Sequence, residues 1–326
     1  MMRILLSRTD RIGDLVLSTP AIASVRASFP DARITMVTSP YNRVVMERNT
    51  DVDELVDLPR EVKPQAFGAG YRGYDLAVAL APRAQDVELV GATRARVRVG
   101  YTYVRRWVAR LTSRLFLDRV LISPADPELS ERDPSRIVPH EVDQLLELVA
   151  LGGATTRVES LRVDVTDADR ASVAFLPGRP VVVHLGLRWF STGNTLASSL
   201  TLMDQLRALG APLIVSSAVE CEKFVPAFER EGHVVVRGLP FHGWAALFER
   251  ARCVVTVDTG ATHVASAMRR PTVVAFEHRY FRLNSQEWAP YRVPSVLVRK
   301  PDSDDESALA AFRNEIVRGV TDLINA

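Results

Sequence analysis

The sequence predicts a two-domain α/β protein with mostly parallel sheets, and three observations carry that prediction. Short apolar runs of strand length alternate with segments of helical period along the chain, the pattern of βαβ units. The pattern starts afresh at Pro180, after a polar stretch. The 326 residues are too many for one ordinary α/β domain and enough for two, each able to bury its own core without disulfides or a metal.

In the first half, strands are expected at Arg3–Ser7, Arg33–Thr38, Glu54–Leu58, Asp75–Leu80 and Arg96–Val99. Helices fit Leu15–Ser28, Tyr41–Arg48, Arg83–Gly91 and Glu141–Leu151, the last stopped by Gly152-Gly153. The stretch Ser123–Pro139 holds prolines at 124, 127, 134 and 139 among acidic residues, and is expected to be an irregular surface loop. The second half opens with the apolar strand Pro180–Leu185 and a glycine-containing loop, Gly186–Asn194. Strands then fit Pro212–Ser216, Val234–Val236, Cys253–Val257 and Thr272–Phe276. The helices between them fit Ala197–Leu209, Glu220–Arg230, Trp244–Arg250 and Thr262–Met268. The polar segment Thr166–Arg179 is the expected boundary, giving domains 1–165 and 166–326. A last helix, 306–325, carries Leu309, Phe312, Ile316, Val320 and Leu323 on one face, and a return onto the first domain is one place it can dock.

Composition excludes several classes. An apolar content of 47% with 25% charged residues is that of a globular chain. A net charge of +2 is no polyanion-binding signature, so nucleic acid is not an expected partner. Positive charge is carried almost wholly by arginine, since Lys63, Lys223 and Lys300 are the only lysines; arginine suits bidentate contacts to phosphate and carboxylate. Cys221 and Cys253 sit in apolar surroundings without metal-ligand spacing, which reads as a reducing, cytoplasmic setting. No run approaches the roughly 18 apolar residues of a membrane span.

Two segments carry chemistry. In Val254–Ala265 an apolar strand runs into Asp258-Thr259-Gly260 and at once into a helix. Asp258 or Thr259 can cap that helix, Gly260 lets a ligand approach the backbone, and the first-turn N–H groups of Gly260 and Ala261 form an anion site at the end of a parallel strand. His263, one turn in, adds a donor. The bland alternative is a well-capped turn, which a lone Asp-Thr-Gly favours. The second segment, Ser7–Leu15, is the first βα turn. It lacks the G-x-G-x-x-G fingerprint, which disfavours a dinucleotide-binding enzyme. It sets Asp14 at a glycine-preceded helix start, either as a complement to the helix dipole or as a general base.

Taken together, Arg11–Ile22, Arg98-Val99-Gly100-Tyr101, His140 before a helix, and the block Asp258-Thr259-Gly260-x-x-His263-x-Ala265 followed by Pro271-Thr272-Val273 resemble glycosyltransferase family 9. These are the ADP-heptose:lipopolysaccharide heptosyltransferases, and the resemblance runs through most of the chain. It implies a GT-B fold, two Rossmann-like domains facing across a cleft, with the acceptor on the N-terminal side and the sugar nucleotide on the C-terminal side. It implies Asp14 as catalytic base, and Asp258, Thr259, Gly260, Ala261 and His263 as the donor-diphosphate segment. It implies Glu220 as the nucleoside contact; Arg11, Arg98 and Arg105, in the acceptor-side half, are the candidate acceptor-binding cations. With the resemblance goes the expectation of inverting, metal-independent transfer from a nucleotide sugar, ADP-heptose, to an anionic glycolipid, by a cytoplasmic protein that can lie peripherally on the membrane.

One departure from the family pattern matters. After the strand ending near His184, family members commonly carry a lysine that contacts the diphosphate, and Gly186–Leu196 has none. Arg188 is the candidate replacement, with Ser191 and Thr192 as hydrogen-bond donors. The departure keeps two rivals open: a nucleotide-sugar-binding protein with weakened catalysis, and a transferase for another nucleotide sugar. A sugar-nucleotide epimerase shares the fold but not the paired motifs. The arginines Arg105, Arg106 and Arg110, with Trp107 and Val108 between them, fit either a solvated basic face or a contact with a phosphorylated glycolipid at a membrane surface.

Overall fold

The computed structural model describes residues 1–326, and backbone contacts divide the chain into Met1–Arg162 and Val163–Ala326. Each unit is a sheet of six parallel strands with helices. The first contains β1 (Arg3–Ser7), β2 (Arg33–Thr38), β3 (Glu54–Asp57), β4 (Leu76–Ala79), β5 (Val97–Tyr103) and β6 (Arg119–Ser123). The second contains β7 (Val181–Leu185), β8 (Leu213–Ser217), β9 (Val234–Val236), β10 (Cys253–Val257), β11 (Thr272–Phe276) and β12 (Ser295–Arg299).

The strand orders are β3-β2-β1-β4-β5-β6 and β12-β11-β10-β7-β8-β9. Both are the doubly wound Rossmann order, in which the chain winds one way from the first strand and then the other way from the fourth. Each sheet therefore has one switch point, between β1 and β4 or between β7 and β10, where loops diverge and leave a crevice at the carboxyl ends. The central strands are buried throughout: Val181–Leu185, Cys253–Val257 and Leu76–Ala79 have no exposed position. That is why they read as continuous apolar runs rather than alternating ones.

The helix after β1 spans Ile12–Ser28 and contains Pro20, which has no N–H to return to the carbonyl four residues back. The Thr19 hydroxyl donates to that carbonyl, Val16 O, at 2.7 Å. The last helix, Glu306–Asn325, buries Leu309, Phe312, Ile316 and Val320. A Cβ at Gly319 would come within 2.9 Å of Val296, so glycine there lets the helix press against β12. Its apolar face is thus taken up within the second unit's core.

Several elements differ from the sequence expectation. β6 and β12, the strand at one edge of each sheet, are additional. Tyr41–Arg48 holds only a 3-10 turn at Arg43–Val45. The stretch Ser123–Pro139 is not wholly irregular: Pro127–Arg132 is helical, with the Asp126 carboxylate accepting from Glu128 and Leu129 N–H. Pro127 occupies the first helical position, where a missing N–H is harmless.

Candidate functional site

At the β1/β4 switch point the chain leaves β1 at Ser7 and places Arg8 inside the protein, 1% exposed. Its guanidinium is shared among three carboxylates. Nε donates to Asp10 at 2.9 Å, Nη1 to Glu141 at 3.0 Å, and Nη2 lies 3.4 Å from Asp14. Nη1 also donates to the carbonyl of Leu80, just past β4, which pins the two diverging loops together. Glu141 opens the helix Glu141–Leu151 and accepts from the Tyr101 hydroxyl at 2.6 Å. Below this group Asp86 accepts from Ser7 Oγ, Thr9 N and Thr9 Oγ1. A buried guanidinium is tolerable because it is ion-paired and hydrogen-bonded.

Asp14 sits in the first turn of the Ile12–Ser28 helix, half-buried, and no side chain caps that helix. Burial and the nearby charges of Asp10 and Glu141 push its carboxyl up to about 7, against the pull of Arg8 and Arg11. Burial likewise pushes Asp86 up to about 6, opposed by its Ser7 and Thr9 hydrogen bonds. Asp86 is fully buried beneath its donors, whereas Asp14 retains access. A carboxylate with near-neutral proton affinity at a switch point is the group that can take a proton near pH 7.

The β7/β10 switch point is built differently. β10 ends at Val257, and Thr259 begins the helix Gly260–Ala267 without donating or accepting a side-chain cap. Across the crevice, Gly186 follows β7. A Cβ there would lie 2.9 Å from Thr259 Cγ2, so glycine permits the close approach of the two loops. Arg188 then pairs with Asp258, Nη1 to Oδ2 at 2.5 Å, and donates to the Asp258 carbonyl at 3.0 Å. It is 43% exposed, and so remains open to an anion at the helix N-terminus. His263 is buried, with its ring 6.3 Å from that of Trp288.

Lys300, just past β12, reaches the loop that has no lysine of its own. Its ammonium, 1% exposed, donates to Arg188 O at 2.7 Å and Ser191 Oγ at 2.5 Å, and lies 3.3 Å from Glu277. The Ser191 hydroxyl donates to Glu277 at 2.7 Å. Burial lowers the proton affinity of Lys300, with Glu277 opposing. Trp189 is buried and donates to Ser199, and Gly193, at φ 86°, packs where a Cβ would strike the Pro301 carbonyl. The loop is therefore clamped from four sides, and it turns Arg188 outward.

Other residues singled out by sequence are scattered. Glu220 is exposed in the 3-10 turn Val219–Phe224, just past β8. Arg11 is exposed at the start of the Asp14 helix. Arg98, early in β5, is held by Asp118 through Nε at 2.9 Å and Nη2 at 2.7 Å. Arg105 is exposed and lines a surface cavity of about 310 Å³ with Arg106, Asp126 and Glu128. Sequence reasoning missed Arg8, Tyr101 as a hydrogen-bond donor, Glu141, Glu277 and Lys300. Glu141 directly follows the noted His140, and Arg8 lies inside the noted first turn. Both cysteines are free and buried, and burial pushes Cys221 up to about 11 and Cys253 to about 12. No helix is long and apolar enough to cross a membrane.

Two Rossmann-like α/β units, each with its polar loops at the switch point, define the class of fold, GT-B. A family model described as glycosyltransferase family 9 (heptosyltransferase) matches residues 217–306. Lipopolysaccharide heptosyltransferase 3 of Escherichia coli is 22% identical over 83% of this chain and 83% of its own. Among solved structures, a family 9 glycosyltransferase from Veillonella parvula superposes with a TM-score of 0.79 at 17% identity, covering 99% of this chain and 97% of that one. The E. coli ADP-heptose lps heptosyltransferase II superposes with a TM-score of 0.74 at 16% identity, covering 100% and 99%. The chain is thus similar to members of glycosyltransferase family 9 in sequence over its second unit and in fold throughout.

Proposed function

We propose that the protein transfers heptose from ADP-heptose, with inversion, to an anionic glycolipid of the lipopolysaccharide-core type, at the cytoplasmic face of the membrane. The observation that carries this reading is Asp14. It is an accessible carboxylate held by the buried Arg8 beside two further acids, with a proton affinity near neutrality. Asp14 takes the proton from an acceptor hydroxyl as that oxygen attacks the anomeric carbon, and the bond from that carbon to the diphosphate oxygen breaks on the opposite side. The departing diphosphate is received by the uncapped N–H groups of Gly260 and Ala261 and by the Arg188 guanidinium. The charge relief assigned to Arg188 and the helix N-terminus makes the proposed transfer metal-independent. His263 adds to the diphosphate site, Glu220 contacts the nucleoside, and Arg11 and Arg105 favour a phosphorylated acceptor.

The choice of donor is supported by the similarity to the E. coli ADP-heptose lps heptosyltransferase II. The clamped loop around Arg188 and Lys300 favours a working donor site over a weakened one, because a cation is still presented to the anion. A melting-point panel with ADP, UDP, GDP, dTDP and CMP tests the nucleotide, since a ligand well above its Kd raises Tm measurably. ADP is expected to give the largest rise. A larger rise with another nucleotide overturns the donor, and tight binding without turnover on any glycolipid overturns the transferase. Release of a free epimerised sugar would identify an epimerase.

A further inference from the structure

One element of the first unit is left uncovered. After β5 the chain forms the helix Trp107–Thr112, none of whose residues is buried, and then the 3-10 turn Ser113–Leu115. Trp107 (68% exposed), Leu111 (63%) and Leu115 (78%) recur every fourth residue, with Val108 (51%) beside them. Single exposed apolar side chains are ordinary, but a contiguous cluster marks a contact surface. Arg106, Arg110 and Arg114 recur at the same interval, each one residue ahead of an apolar neighbour. With Arg105 they give 105–115 four arginines and no acid, and all four are exposed.

A solvated basic face accounts for the arginines and leaves Trp107, Leu111 and Leu115 unexplained. A second copy docking the same patch on itself would bring its arginines against identical arginines, a like-charge contact that costs stability. An anionic bilayer answers both halves of the pattern. The indole and leucines fit the headgroup–acyl boundary, while arginine stems lie along apolar surface and present their heads to lipid phosphates. The element also follows the carboxyl end of β5, on the edge of the sheet that carries Asp14 at the end of β1.

We propose that residues 105–115 dock the protein on bilayers rich in anionic headgroups, with Trp107, Val108, Leu111 and Leu115 inserted and the flanking arginines on phosphate. This deepens the glycolipid-acceptor reading, on which its purpose rests, while the docking itself needs no glycolipid and no donor.

The test is co-sedimentation of the full chain with vesicles of phosphatidylcholine alone or with about 30 mol% phosphatidylglycerol, at low and high salt. The protein is expected to pellet with anionic vesicles at low salt and to be released by salt. The triple variant Trp107→Ser, Leu111→Ser, Leu115→Ser is expected to lose at least about ten-fold in partitioning. The triple variant Arg106→Gln, Arg110→Gln, Arg114→Gln is expected to lose about 100-fold of its preference for anionic over neutral vesicles, at roughly five-fold per charge. The Tm rise given by ADP, read on the same samples, should be unchanged in both variants and shows that they are folded. A wild-type chain that stays in the supernatant, or variants that pellet as it does, overturn the proposal. So does a concentration-dependent dimer abolished by the apolar triple, which would assign the face to a second copy. Vesicle binding without any nucleotide-induced Tm rise would leave docking standing and remove the donor reading instead.

Discussion

The two switch points occupy the same topological position in two sheets of the same strand order, and they are built with opposite chemistry. At β1/β4 a single arginine lies 1% exposed among Asp10, Asp14 and Glu141, so acid exceeds base and one carboxylate is pushed up in proton affinity. At β7/β10 the arginine is 43% exposed beside an uncapped helix N-terminus, and the buried cation, Lys300, acts on the loop backbone. The scaffold fixes where a ligand meets the sheet, and the loop residues fix which charge it is offered. In the function proposed above, one site takes a proton and the other receives an anion.

The sharpest way to break that contrast is Asp14→Asn. Transfer is expected to fall by about 10²–10⁴, the usual contribution of a general base, while the Tm rise given by ADP stays intact. Equal loss of both would show that the first site is structural. The pH dependence follows from the same carboxylate. Transfer needs it deprotonated, so kcat/KM should climb with pH to about 7 and then level off. Stability runs the other way. Between about pH 4 and 7 the folded chain holds a proton on Asp14 that the unfolded chain has released, so this group's contribution falls as pH rises through that window. At pH 8 the Asn variant should therefore melt no lower than the wild type, which a thermal scan checks.

Smaller effects sharpen the second site. Arg188→Ala should weaken nucleoside-diphosphate binding by about 10- to 100-fold in a titration, the loss of a charge-assisted contact, and Arg188→Lys by less. Lys300→Met should leave Ser191 and Glu277 without their shared cation, at a cost of about 1–3 kcal/mol, read as a Tm lowered by several degrees. Arg98→Gln is expected to have the least effect on stability, about 1 kcal/mol or less, because its pair with Asp118 lies at the surface and is partly solvent-exposed.

Asp14 and the 258–263 block were legible because each lies where an apolar strand runs into a helix, a junction written in consecutive residues. Arg8 and Lys300 were not. A lone charged residue next to a strand ordinarily faces water, and nothing local says that its partners at Leu80, Glu141, Ser191 and Glu277 close over it. β6 and β12 escaped for a related reason. As edge strands they are only partly buried, so Arg119–Ser123 and Ser295–Arg299 lack the full apolar run of β7 or β10. The Pro127–Arg132 helix escaped because a proline-rich stretch ordinarily breaks regular structure, whereas Pro127 stands at the first helical position behind the Asp126 cap.

By itself the sequence determined the βαβ alternation, the restart near Pro180 and the two βα turns that carry the candidate chemistry. All of these are set by periods and neighbours within a few residues. The tertiary structure alone decided that Asp14 titrates near neutrality and that Arg188 faces outward. Proton affinity depends on desolvation and on charges within a few ångströms; Arg8 and Asp10 are local to Asp14, but the burial and the charge of Glu141, more than a hundred residues on, come only with the fold. The outward turn of Arg188 depends in the same way on Lys300, which lies more than a hundred residues from the loop it anchors.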